Sequence, residues 1–138
     1  MTAQRSLPLL VAAALLLPVV RLALWLLPFG LLWRATTRLA RPRAASAAPT
    51  PEQIAWAVTA AARRVPGGRH CLAQAVTAYI LLRRAGHSAR VRLGLARDRP
   101  GGFAAHAWVE REGRVLLGGP DVSRFAPLPP LPLKGAHP

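Results

Sequence analysis

A chain of 138 residues has room for one modest domain with accessory segments around a single hydrophobic core. Its single cysteine excludes an intramolecular disulfide and any thiolate-rich zinc site, and fits a reducing compartment. The formal net charge of +14 is carried almost wholly by arginine against five acidic residues, and reads either as a solvated arginine-rich surface or as a face for an anionic membrane, nucleic acid or acidic peptide. No zinc pattern, aromatic RNA-binding motif or basic heptad is present, which argues against nucleic acid.

Residues 1–43 read as an apolar and then basic N-terminal helical segment, with no acidic residue before Glu52. The uninterrupted apolar run 7–20 is too short to span a bilayer alone. Joined to 22–33 it is long enough, but Arg21 then falls near the middle, where a charge costs roughly 2.5–3.5 kcal/mol. Pro8, Pro18 and Pro28 are expected to break or kink a single helix, and no small-x-small site closes the run as in a signal peptide. Two or three short helices that do not span are therefore expected, one against the core and one on a membrane surface or a partner, with an N-terminal membrane anchor as the alternative. Arg34, Arg38 and Arg41 recur at helical spacing, as an interfacial cationic face would.

Residues 44–49 form a small-residue linker. At "TPEQIAWAV" Thr50 is placed to cap a helix, Pro51 suits its first position and Gln53 completes a capping box. Ile54, Ala57, Val58, Ala61 and Val65 line one face of that helix. After "PGG", residues 66–68, a second helix runs through "RHCLAQAVTAYILLRRAGH". Cys71, Leu72, Ala75, Ala78, Tyr79 and Leu82 make its apolar stripe, and Gly86 ends it. From Ala89 the period becomes two, with Val91, Leu93 and Leu95 on one face of a strand. "RDRPGG" is a turn, and residues 103–119 are a hairpin with Glu112-Gly113 as its loop. The core therefore runs from 50 to 126, followed by a proline-rich tail, 127–138.

Cys71 falls in the first turn of its helix. Unpaired N–H groups and the positive dipole end favour a thiolate there, although free cysteine is also among the most buried residue types. A thiolate nucleophile needs an oriented imidazole. His137 lies in the tail, His87 in a loop, and His70 points about 100° away from Cys71 around the helix. His106, on a strand, is the candidate base. If the hairpin pairs symmetrically about Glu112-Gly113, His106 faces Gly119 with Leu117 and Asp121 as same-face diagonals, which makes Asp121 the orienting acid unless a one-residue bulge turns it away. Glu110 shares the face of His106 but lies roughly 13 Å along the strand.

This order of helix-start cysteine, strand histidine and later acid is that of papain-like and transglutaminase-like cysteine enzymes. Residues 71–119 resemble the transglutaminase-like leader peptidases of lasso-peptide biosynthesis. They share C-L at a helix start, an L-L-R-R-x-G helix end, a strand with L-G-L and, most specifically, F-x-A-H-A-W-V-E. "RLALWLLPFGLLWR", residues 21–34, is similar to the N-terminal stretch of the same proteins. The resemblance implies an α+β fold with a transglutaminase-like (papain-like) core, in which the nucleophile helix packs on a small antiparallel sheet and apolar helices precede it. It implies a cytoplasmic cysteine peptidase that removes the leader of a ribosomally made precursor peptide, without cofactor or metal, using Cys71 as nucleophile and His106 as base. It also implies a separate leader-recognition protein and an ATP-dependent macrolactam synthetase as partners. Many relatives carry the acid where this chain has Gly118, three residues before Asp121. Amide transfer by the same residues, and a non-catalytic peptide-binding or membrane scaffold protein with Cys71 merely buried, are the competing readings.

Overall fold

The computed structural model describes residues 3–42, 49–65, 71–99, 102–117 and 126–127. Among these the order is α1 (Ala3–Leu26), α2 (Phe29–Leu39), α3 (Pro51–Ala62), α4 (Cys71–Arg84), β1 (Arg90–Arg99), β2 (Gly102–Arg111), β3 (Arg114–Leu117) and β4 (Ala126–Pro127). The architecture is α+β, with α1 and α3 packed on α4, and α4 on an antiparallel sheet of order β3-β2-β1-β4.

The N-terminal region is two helices, and only one of its three prolines breaks the chain. Pro8 and Pro18 lie inside α1. Pro18 leaves a carbonyl one turn earlier without its helical donor. Packing holds the helix straight through: Ala13 and Leu17 before that position and Val20 after it are all buried in the core cluster shared with α3 and α4. Pro28, at φ −58° and ψ 147°, leaves helical geometry and starts α2.

α3 begins as its sequence dictates. The Thr50 hydroxyl accepts the Gln53 N–H at 3.1 Å, and the Gln53 side chain accepts the Thr50 N–H at 2.8 Å. Ile54, Ala57, Val58 and Ala61 are buried and Val65 packs at the margin. α4 is buried on more than one stripe, because Ala73, Val76, Thr77 and Ile80 are buried along with Ala75, Ala78, Tyr79 and Leu82. It is the central element, with helices on one side and the sheet on the other. Its end is a Schellman cap: Gly86 takes φ +88°, the His87 N–H donates to the Leu82 carbonyl at 2.9 Å and the Gly86 N–H to the Arg83 carbonyl at 3.0 Å. His87, expected in a surface loop, is half-buried, and its Nε2–H donates to the Pro49 carbonyl at 2.7 Å, fastening the start of α3 to the end of α4.

β1 and β2 extend further into the expected "RDRPGG" turn than their periodicity indicated, to Arg99 and from Gly102, with a register irregularity between Arg97 and Arg99. Val91 opposite Val109 and Leu93 opposite Ala107 face the helices. β4, where the expected core meets the proline-rich tail, pairs with Gly94 and Leu95 of β1.

Candidate active site

Cys71 is the first residue of α4, a free and half-buried cysteine packed against the core cluster. The first four N–H groups of a helix have no intrahelical acceptor, so the thiol sits where donors and the positive end of the dipole converge. Those N–H groups are also the available source of oxyanion stabilisation.

His106 lies near the middle of β2, opposite Gly94 of β1, so no side chain crowds it from that position. Its ring stacks on that of Trp108, with centroids 6.1 Å apart and planes inclined by 28°. Trp108 is buried, and its indole Nε1–H donates to Glu110 Oε2 at 2.8 Å. The other Glu110 oxygen receives Arg92 Nη1 at 3.4 Å, from the β1 residue paired with Trp108. Strand alternation puts His106, Trp108 and Glu110 on one face and Ala107 and Val109 on the other, in the core cluster. The histidine thus belongs to a continuous row, His106–Trp108–Glu110–Arg92. α4 packs against β2 on the face of Ala107 and Val109, whereas His106 lies on the other face, so the structure makes the elements bearing Cys71 and His106 neighbours without bringing the two side chains together. Among the described residues no hydrogen bond joins the two side chains; such contacts often tighten only with substrate bound.

The hairpin corrects the expected register. Glu112 and Gly113 form the two-residue turn, with φ +52° and +77°, and Arg111 pairs with Arg114 and Glu110 with Val115 as symmetry about the turn requires. The register then shifts by one, so that Val109 pairs with Leu117. Leu117, expected on the face of His106, is buried in the helix-side cluster. An extra residue in one strand has this effect, because the side-chain period is two. The alignment that directed Asp121 at His106 ends at that irregularity. Asp121 itself lies outside the described residues, as do His70, His137 and Gly118–Gly119.

Glu110, roughly 13 Å from His106 along the strand, is linked to it through Trp108. An indole two residues from each partner touches both, and the readable signal was H-x-W-x-E at period two. A cleft of about 400 Å³ between the start of α3 and the β2–β3 hairpin, lined by Pro51, Glu52, Arg111, Glu112 and Arg114 among others, includes neither Cys71 nor His106 among its described lining residues. Among the described residues no cluster of three or more His, Cys, Asp or Glu is arranged to hold a metal.

A family model described as the transglutaminase-like superfamily matches residues 13–129. No curated protein and no solved structure matches the chain significantly.

Proposed function

The chain belongs to the transglutaminase-like superfamily, which includes cysteine peptidases, and on that premise we propose that it is a leader peptidase acting on a ribosomally made lasso-peptide precursor. The observation that carries the reading is the start of α4 at Cys71, on a helix packed against the strand of His106. The H-A-W-V-E stretch of that strand supports the narrower assignment.

In this reading His106 takes the Cys71 proton and the thiolate attacks the scissile carbonyl. The C–N bond breaks, the leaving amine departs with the proton from His106, and a thioester remains on Cys71. A water molecule, deprotonated by His106, then hydrolyses the thioester, returning the thiol and releasing the leader carboxylate. Backbone N–H groups at the start of α4 donate to the oxyanion that forms on the substrate carbonyl. Asp121 is the proposed orienting acid. The Trp108–Glu110 pair offers a second means of holding the imidazole, through ring stacking.

The precursor's leader is presented by a separate recognition protein, and the freed core passes to an ATP-dependent macrolactam synthetase, all in the cytoplasm where the precursor is made. The test is reconstitution of precursor, recognition protein and this chain, read by mass. Wild type releases intact leader and core, while Cys71→Ala and His106→Ala release neither. Core peptide released at the wild-type rate by Cys71→Ala would leave a binding or scaffold role as the answer.

A further inference from the structure

We propose that this protein docks on an anionic lipid bilayer with α1 lying in the plane of the membrane surface. The inference stands apart from the peptidase reading and rests on how α1 divides its apolar surface. Leu7–Leu26 is long and apolar enough to cross a membrane, yet Ala13, Leu17 and Val20 on one flank are buried against the helical core. The opposite flank carries Leu7, Val11, Leu15, Val19, Leu22 and Leu26, all exposed and spaced by three or four residues. At 1.5 Å per residue that stripe is roughly 30 Å long. Spanning would tear the buried flank out of the core and carry Arg21 into hydrocarbon. Lying flat satisfies both flanks at once.

Charge identifies the surface that meets the stripe. Beyond Trp25, which is 77% exposed at the end of α1, α2 exposes Leu31, Arg34, Arg38 and Leu39 on one face and buries Leu32, Trp33 and Thr36 on the other. The end of α2 and α4 then enclose a cleft of about 280 Å³ lined by Thr37, Arg38, Arg41, Tyr79 and Arg83 among others, with no acid among the described residues of its lining. No acidic residue precedes Glu52 in the chain. An exposed apolar stripe, a tryptophan at its end and exposed arginines on the helix that follows match acyl chains below phosphate headgroups. A basic residue near such a surface contributes about fivefold to binding.

The test is co-sedimentation of the full chain with vesicles of equimolar phosphatidylglycerol and phosphatidylcholine, and with phosphatidylcholine alone. Expected are binding to the anionic vesicles that weakens with salt, a loss of at least tenfold in Leu15→Glu/Leu22→Glu, and a loss of roughly a hundredfold in Arg34→Gln/Arg38→Gln/Arg41→Gln. Brominated phosphatidylglycerol should quench tryptophan emission in wild type and much less in Trp25→Phe, a readout that does not depend on the charged variants folding. Equal sedimentation of wild type and Leu15→Glu/Leu22→Glu, or no binding to anionic vesicles, overturns the proposal. So does a dimer in vesicle-free solution that Leu15→Glu/Leu22→Glu abolishes, which would make a second copy the occupant. Protection of the N-terminus from protease across the bilayer would make α1 a spanning anchor and overturn it equally.

Discussion

The Trp108 indole N–H donates to the Glu110 carboxylate at 2.8 Å, and the same indole stacks on His106. One acidic residue therefore fixes the ring that backs the candidate base. Replacing Glu110 by leucine leaves a buried N–H without its acceptor and removes the Arg92–Glu110 contact, a loss of about 1–3 kcal/mol in stability. Misplacing the imidazole lowers kcat by roughly 10–100-fold while KM changes little. Glu110→Gln keeps an acceptor at the same place and is expected to retain most of the rate. Denaturant unfolding and steady-state leader release on the two variants separate a positional role from a purely electrostatic one; equal loss in both would remove the hydrogen bond from the explanation.

The sheet was legible wherever apolar and polar residues alternate along a strand. Val91 and Leu93 alternate against Arg90 and Arg92, and the structure puts the apolar set toward the helices. The capping box at Thr50 and Gln53 was legible because both partners lie within one turn. Three features were not, each for a physical reason. The continuity of α1 through Pro18 depends on long-range packing by Ala13, Leu17 and Val20, which no local propensity encodes. The register shift at Val109 and Leu117 is a tertiary outcome, in which burying Leu117 on the helix side wins over symmetric pairing about the turn. The link from His106 to Glu110 requires an intervening ring, whereas strand rise counts only backbone length.

The Glu112-Gly113 turn carries a measurable mismatch between residue and backbone. Both residues have positive φ, and the ordinary type I′ solution is Asn-Gly. Glu112→Asn places a residue that tolerates this region and should stabilise the chain by about 0.5 kcal/mol. Gly113→Ala meets no neighbouring atom within 4 Å, so its cost is backbone strain alone, about 1–2 kcal/mol. Thermal unfolding of the two variants, moving in opposite directions, checks both the turn type and the origin of the register above it.

Leu15 and Leu17 offer a controlled comparison, because they are the same residue type two positions apart on one helix. Leu17 is 0% exposed within the core cluster and Leu15 is 66% exposed. Leu17→Ala should cost about 2–5 kcal/mol through lost transfer energy and the cavity left behind. Leu15→Ala should stay within about 0.5 kcal/mol in solution. Equal effects would mean that α1 does not pack on α3 and α4 as described, and would remove the basis for reading it as a two-sided helix.

Tyr79 couples α4 to alkaline pH. Burial pushes its phenol above the ordinary value of 10.0, and the nearby Arg83 guanidinium pulls it back only in part. For a group that is neutral when protonated, a raised folded value means that the folded state holds the proton more tightly than the unfolded chain. The associated stability is complete below about pH 10, and is lost as pH rises through the folded value. The slope for this single group is at most about 1.4 kcal/mol per pH unit. It is the only tyrosine in the chain, so phenolate absorbance titrates it alone. The folded protein should ionise later than the denatured chain, and Tyr79→Phe should unfold less steeply with pH in that window. Coincident titration of folded and denatured protein would place the phenol in solvent, against its burial beneath the end of α2.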